Sequence, residues 1–264
     1  MIILIAVLTA LFAPWLAPHD PRLVDITLRL KPPFWLDGGT GAHPLGTDQL
    51  GRDLLSRIIV GTRSSLIVAG SAVLITSIVG GLTGMVAAYF GGWVDQVISR
   101  LVDIQLAFPS LLLAITIMAV TTPSLTAVVV VLAIAGWVVP CRIVRSRTLA
   151  VAGQEFVTGA VATGASHRHI LLRHLFPNVL PTLITIGTLQ AAHFVLAEAA
   201  LSFLGLGLPP AIPSWGGIMN QGRDYIELAW WIETFPGIAI VILVSGLGLV
   251  GDWVRDALDP RMRD

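Results

Sequence analysis

No charged side chain occurs from Ile104 to Cys141, a run of 38 residues. Wound as one straight helix it would extend about 57 Å, nearly twice the roughly 30 Å hydrocarbon core of a bilayer. The run must therefore break. Thr121-Thr122-Pro123-Ser124 carries the turn and helix-start signals, which predicts two spans, near 104–121 and 124–140, joined as a tight hairpin. Pro109 falls in the first turns of the earlier span, where a missing N–H is least costly. Further charge-free runs at Ile2–Pro18, Ser64–Trp93, Thr182–Leu206 excluding Glu198, and Phe235–Gly251 repeat the pattern. With 12% charged residues and a mean hydropathy of +0.83, against about 25% charged in a soluble domain, the expected class is an all-α polytopic membrane protein of six transmembrane helices.

The expected organisation is a first transmembrane helix at 1–18, a loop at 19–63, a core of five spans at 64–251 that includes a polar loop at 141–181, and a charged tail at 252–264. Residues 2–18 also fit a signal peptide, but Met1 abuts the apolar run with no basic residue before it, which favours a retained span. In the 19–63 loop, Leu50, Leu54, Leu55, Ile58 and Ile59 alternate with Arg52, Asp53, Arg57 and Arg63. That pattern predicts an amphipathic helix at the interface before the second span. Gly80 and Gly84 have the GxxxG spacing that lets helices approach closely, and packing is its ordinary meaning. Glu198 lies inside the fifth span, where a carboxylate is costly and must face protein or a water-filled path. It is either a gate or pathway residue, with Ser202 and Phe203 beside it, or a hydrogen-bond anchor between helices.

Residues 207–234 read as a Pro- and Trp-rich outer loop, with Trp230 and Trp231 suited to an aromatic belt. Six spans put both ends on one side. With the 141–181 island inside, the inner segments hold nine basic residues, Arg261 and Arg263 among them, against seven outside. The bias near the fourth and sixth spans favours cytoplasmic N- and C-termini.

The chemistry that is missing narrows function. Formal net charge is zero, which gives a nucleic-acid partner no electrostatic support. One cysteine, Cys141, forms neither a disulfide framework nor a cysteine metal cluster. There is no phosphate-binding G-x-x-x-x-G-K-[ST] segment, and the sole lysine, Lys31, lies in the first loop. His167, His169 and His174 cluster in the island, where contact with solvent or a partner is the ordinary reading and a metal site the rarer one. No enzyme is legible. An ion-coupled carrier would have only Glu198 as an intramembrane ionisable group, and a structural scaffold without transport is the third alternative. The island itself divides into an incoming arm with Arg142, Arg145 and Arg147, a small-residue helix at 155–165, and an amphipathic outgoing arm ending at Pro181.

Five blocks, LGTDQLGRDLLSR (45–57), GTRSSL (61–66), DIQLAFPSLLLAI (103–115), GASHRHILLRHLFPN (164–178) and EAALSFLGLGLPPAIPSWG (198–216), resemble inner-membrane permease subunits of ATP-binding-cassette importers, in the dipeptide, oligopeptide and nickel group. The resemblance implies the type I importer permease fold. It implies that the loop between spans four and five docks on an ATPase subunit, with Glu155, Phe156, Thr158, Gly159, Ala162, Gly164, Ala165, Ser166 and Arg168 at that contact. Thr158 stands where the general motif has glutamate, and His174-Leu175-Phe176-Pro177 stands at its I-x-L-P. The implied partners are a second, different permease, two ATPase subunits, membrane lipid and an extracytoplasmic substrate-binding protein, the last at Pro209, Pro213, Trp215 and Arg223. ATP and Mg²⁺ would sit on the ATPases, with no cofactor in this chain. Short peptides are the expected solute, with nickel complexes and glutathione-like peptides as rivals.

Overall fold

The break that the 38-residue run requires is present, and hydrogen bonds fix its place. In a computed structural model, which describes residues 1–258, Thr121 Oγ1 donates to Ile117 O at 2.7 Å and closes one helix. Ser124 Oγ accepts Ala127 N–H at 3.1 Å and opens the next. The helices are α1 (Ile2–Leu16), α2 (Leu54–Phe90), α3 (Gly92–Leu106), α4 (Ser110–Ala119), α5 (Leu125–Gly136), α6 (Val138–Ala152), α7 (Glu155–Ala162), α8 (His167–Phe203, with a π-helical segment at Ile170–Leu175), α9 (Trp215–Gly222) and α10 (Trp231–Leu258). The described residues contain no strand, and an isolated bridge pairs Thr47 with Asp53.

By length and composition α2, α8 and α10 can each cross a bilayer, with mean hydropathies of 2.0, 1.6 and 2.1. The pairs α3–α4 and α5–α6, bent by 81° and 41°, bring the candidate spans to five. Apolar α1 has 15 residues, about 22 Å at 1.5 Å each. Arg261 and Arg263 lie outside the described residues. The chain forms two compact units: Met1–Gly70 with Ile115–Val130 and Ala192–Leu247, and Ser71–Ala114 with Val131–Ala191 and the segment from Gly248 onward.

Several boundaries differ from those expected, each for a physical reason. The amphipathic stretch around residues 50–59 is not a separate interfacial helix, because α2 begins at Leu54 and runs on unbroken. Asp53 supplies its cap by accepting Ser56 N–H at 2.8 Å. Arg57, in the first turn of α2, is 1% exposed. It pairs with Asp48 and donates to Gln221 Oε1 at 2.9 Å, while Arg52 holds the same Asp48 at 2.7 Å. Gly51 at φ +72 passes so close to Asp25 that a Cβ there would lie 1.7 Å from the Asp25 carbonyl oxygen.

The polar residues at 95–103 form amphipathic α3. Gly91 and Gly92, at φ +61 and +50, turn the chain out of α2. Asp95 then receives both Arg145 Nε and Nη2 at 2.5 Å. The arm carrying Arg142, Arg145 and Arg147 is α6 itself, which continues to Ala152. Pro140 cannot donate to Gly136 O, and Gln190 Nε2 does so instead at 3.4 Å. Gln105 Nε2 reaches Ile134 O at 2.7 Å, and its Oε1 accepts Trp137 Nε1–H at 2.8 Å. The kink between α5 and α6 is thus bonded through.

The outgoing arm is also continuous with its span, since α8 starts at His167 rather than Thr182. Its π turn bonds Phe176 N–H to Leu171 O, placing the wider register just ahead of Pro177. The packing reading of the GxxxG pair holds. A Cβ on Gly80 would lie 2.4 Å from Trp137 O, and one on Gly84 2.3 Å from Cys141 O, so α2 rests on the backbone of α6. Gly84→Ala is expected to destabilise by about 1–3 kcal/mol through overpacking. Gly70→Ala, with nothing within 4 Å of its added carbon, should be neutral or stabilising by up to about 1 kcal/mol; thermal melts of the purified protein check both.

Candidate functional site

Helix α7 starts where Gln154 adopts an extended conformation and its carbonyl takes the N–H groups of Val157 and Thr158 at 3.0 and 3.1 Å. Glu155 sits in the first turn, on the favourable side of the helix dipole. Its end is a Schellman motif: Ala165 N–H bonds Ala160 O and Gly164 N–H bonds Val161 O, both at 3.0 Å, with Gly164 at φ +79. Nothing lies within 4 Å of a Cβ placed on Gly164. Glycine is therefore needed there for the backbone conformation rather than for space inside the chain.

Glu155, Phe156, Thr158, Gly159, Ala162, Gly164, Ser166 and Arg168 are exposed, and Ala165 is half-buried. Apolar Phe156 and Val161 are 44% and 55% exposed. The residues expected at a docking contact thus share a surface that this chain leaves uncovered. One expected member has a further role: Ser166 Oγ accepts His169 N–H at 3.3 Å and caps the start of α8.

What holds α7 was not read from the sequence. Val157, 2% exposed, packs in a cluster with Met85 of α2, Val144 and Val151 of α6, and Ile170, Leu175 and Val179 of α8. Tyr89 on α2 shares a 2.8 Å hydrogen bond with His167 Nδ1. Three large apolar residues, Phe156, Val157 and Val161, were available in an eight-residue helix, too few for periodicity to say which faces inward. His169 stacks against His174 at 5.4 Å and Phe156 against His174 at 5.9 Å, so these histidines and His167 all have ring or hydrogen-bond partners.

Glu198 is fully buried. It accepts from Ser65 Oγ at 3.1 Å and from Ser202 Oγ at 2.7 Å, and Ser214 also hydrogen-bonds to it. The geometry is that of an anchor joining α8, α2 and the segment before α9. Phe203 is not part of it; its carbonyl accepts Asn220 Nδ2–H at 2.6 Å. Of the residues expected to meet a binding protein, Arg223 is exposed and Pro209 half-buried, but Pro213 and Trp215 are buried. Trp215 Nε1 donates to Ile58 O at 3.0 Å, and Gly216 lies against Ala199. Trp215 and Gly216 brace α9 within the chain, and the burial of Pro213 and Trp215 places both away from the outer surface expected of them.

A family model described as the binding-protein-dependent transport system inner membrane component matches residues 80–264, which include α7 and its anchoring cluster. The chain belongs to this family. A second model, the N-terminal transmembrane domain of oligopeptide transport permease C, matches residues 1–33. The di/tripeptide transport system permease protein DppC of Pseudomonas aeruginosa is 42% identical over 264 residues, covering 100% of this chain and 87% of that protein. The dipeptide transport system permease protein DppC of Escherichia coli K12 is 40% identical over 261 residues, 99% and 87% of the two chains. Among solved structures, inward-facing MetNI methionine ABC transporter superposes with a TM-score of 0.63 at 21% identity, over 78% of this chain and 96% of that one, which establishes a shared fold.

The permease resemblance of the five sequence blocks therefore stands. The protein is a multi-pass permease component of the bacterial inner membrane, and the ion-coupled carrier built on Glu198 is not favoured. Val157→Ala should lower stability by about 1–3 kcal/mol, visible as a lower melting temperature. Glu198→Leu should cost a similar amount, about 1–3 kcal/mol, by stranding buried hydroxyls, with Glu198→Gln the milder change.

Proposed function

We propose that the chain forms half of the translocation pathway of an ATP-driven importer of short peptides, and that α7 receives the motion of an ATPase subunit. The observation that carries this is α7 itself: an exposed surface with two uncovered apolar side chains, its one buried valine set in a cluster drawn from α2, α6 and α8. The names of the permease relatives support a peptide solute over nickel complexes. A second, different permease completes the pathway, two ATPase subunits bind ATP and Mg²⁺, and a substrate-binding protein delivers solute near Arg223 and Pro209.

The same proposal fixes topology. The spans are α1, α2, the pair α3–α4, the pair α5–α6, α8 and α10, six in all, with both chain ends and α7 in the cytoplasm. Cys141 is free and buried, so Cys141→Ala gives a background for accessibility labelling. In that background a cysteine at Val161 should react only with a membrane-permeant maleimide, and one at Leu228 with an impermeant reagent from outside. The reverse pattern overturns the topology.

Gly159 has nothing within 4 Å of an added Cβ, so Gly159→Arg alters the α7 surface without crowding the chain. In the reconstituted complex it should abolish dipeptide uptake and binding-protein-stimulated ATPase activity while leaving the melting temperature unchanged. Full uptake by this variant would refute docking at α7, and uptake without any ATPase subunit would refute ATP coupling.

A further inference from the structure

Two histidines and an aspartate converge beside the start of α2. His43 Nδ1 lies 2.9 Å from Asp53 Oδ1, and His19 Nδ1 lies 3.8 Å from Asp53 Oδ2. The three residues each offer a ligating atom, all within 4.8 Å of one another. The imidazole rings stand face to face at 4.7 Å with a 36° tilt. His43 is 7% exposed and Asp53 2%.

The arrangement is built by the backbone. His19 N–H donates to Ser56 Oγ at 2.9 Å, and Ser56 N–H donates to Asp53 Oδ2 at 2.8 Å. These bonds fix the chain leaving α1 against the first turn of α2. His19 Nδ1 is itself buried and has no hydrogen-bond partner. Helix capping explains Asp53 and its bond to His43, but it leaves that nitrogen unexplained.

We propose that His19, His43 and Asp53 bind a divalent transition-metal ion of the imidazole-preferring class, Zn²⁺ being the representative. Two imidazoles and one carboxylate suit Zn²⁺ rather than the all-oxygen preference of Mg²⁺ or Ca²⁺. Tetrahedral zinc with bonds of about 2.0–2.1 Å sets its donor atoms roughly 3.3 Å apart. The separations of 2.9 and 3.8 Å, each to a different oxygen of the Asp53 carboxylate, lie on either side of that value. The ion would replace the proton shared between His43 and Asp53 and take up the free nitrogen of His19, with water in the fourth position. It would pin the segment after α1 to the start of α2.

The test uses the full chain in its assembled complex, without a polyhistidine tag, stripped by chelator and titrated with Zn²⁺ against a chromogenic competitor. One equivalent should bind and raise the melting temperature, and Co²⁺ should give the visible absorption of a four-coordinate site. His19→Ala removes a ligand while keeping the backbone bond to Ser56. It should fold normally, lose at least about tenfold in affinity and lose the thermal shift. Failure of the parent protein to bind an equivalent would overturn the site. So would binding undiminished in both His19→Ala and His43→Gln, since the metal would then lie on other histidines such as His167, His169 and His174.

Discussion

An apolar environment supplies no donors to a broken helix, so each interruption in a membrane helix must be bonded from within the protein. That constraint organises this fold. Pro140 leaves Gly136 O without its helical donor, and Gln190 provides one. The neighbouring carbonyls of Ile134 and Ala135 receive Gln105 Nε2 at 2.7 and 3.2 Å. Asn178 Nδ2 bonds His174 O at 2.7 Å, next to Pro177 and the π turn. The two glutamines are spent on backbone, which leaves the bends fixed rather than loose.

Buried charge obeys the same rule. Asp48 accepts from both Arg52 and Arg57, and Gln221 takes a remaining N–H of each guanidinium at 2.7 and 2.9 Å. Removing one partner from such a group exposes the others to an apolar surrounding, a larger loss than the group's net worth. Glu198 is treated alike, with serine hydroxyls in place of cations. In each case the polar residue joins segments distant in sequence. Position within an apolar run therefore says little about whether such a residue conducts solute or holds helices.

This explains which parts of the structure were legible in the sequence. The break at Thr121–Ser124 and the helix expected at 155–165, which ends at Ala162, follow from local signals, namely a turn proline with its serine cap and a C-terminal glycine. The spacing of Gly80 and Gly84 carried the close approach to α6. The true starts of α2 and α8 were hidden, because Arg57 looks aqueous until Asp48 and Gln221 meet it, and Pro177 looks like a terminus until the π register admits it. The family resemblance placed Trp215 at an outer docking surface. Its indole instead bonds Ile58 O, 157 positions away in sequence. Long-range partners of this kind leave no trace in composition or periodicity.

The contrast between the two faces of α7 bears on how motion could pass through it. On the outer face Thr158 stands where the general motif has an acidic residue, so the proposed contact would rest on shape and on apolar area from Phe156 and Val161. An exposed ion pair would add only about 0.2–1 kcal/mol in any case. On the inner face Val157 is buried in a cluster drawn from α2, α6 and α8. Packed interiors shift as units rather than deform continuously. Under the proposed docking, a displacement of α7 would therefore load that cluster as a whole. Tyr89 and His167 add a directional link, and the left-handed turn at Gly164 keeps α7 from straightening into α8. A helix attached through a salt bridge alone could pivot about it. One attached through a valine buried in a shared cluster would transmit its displacement.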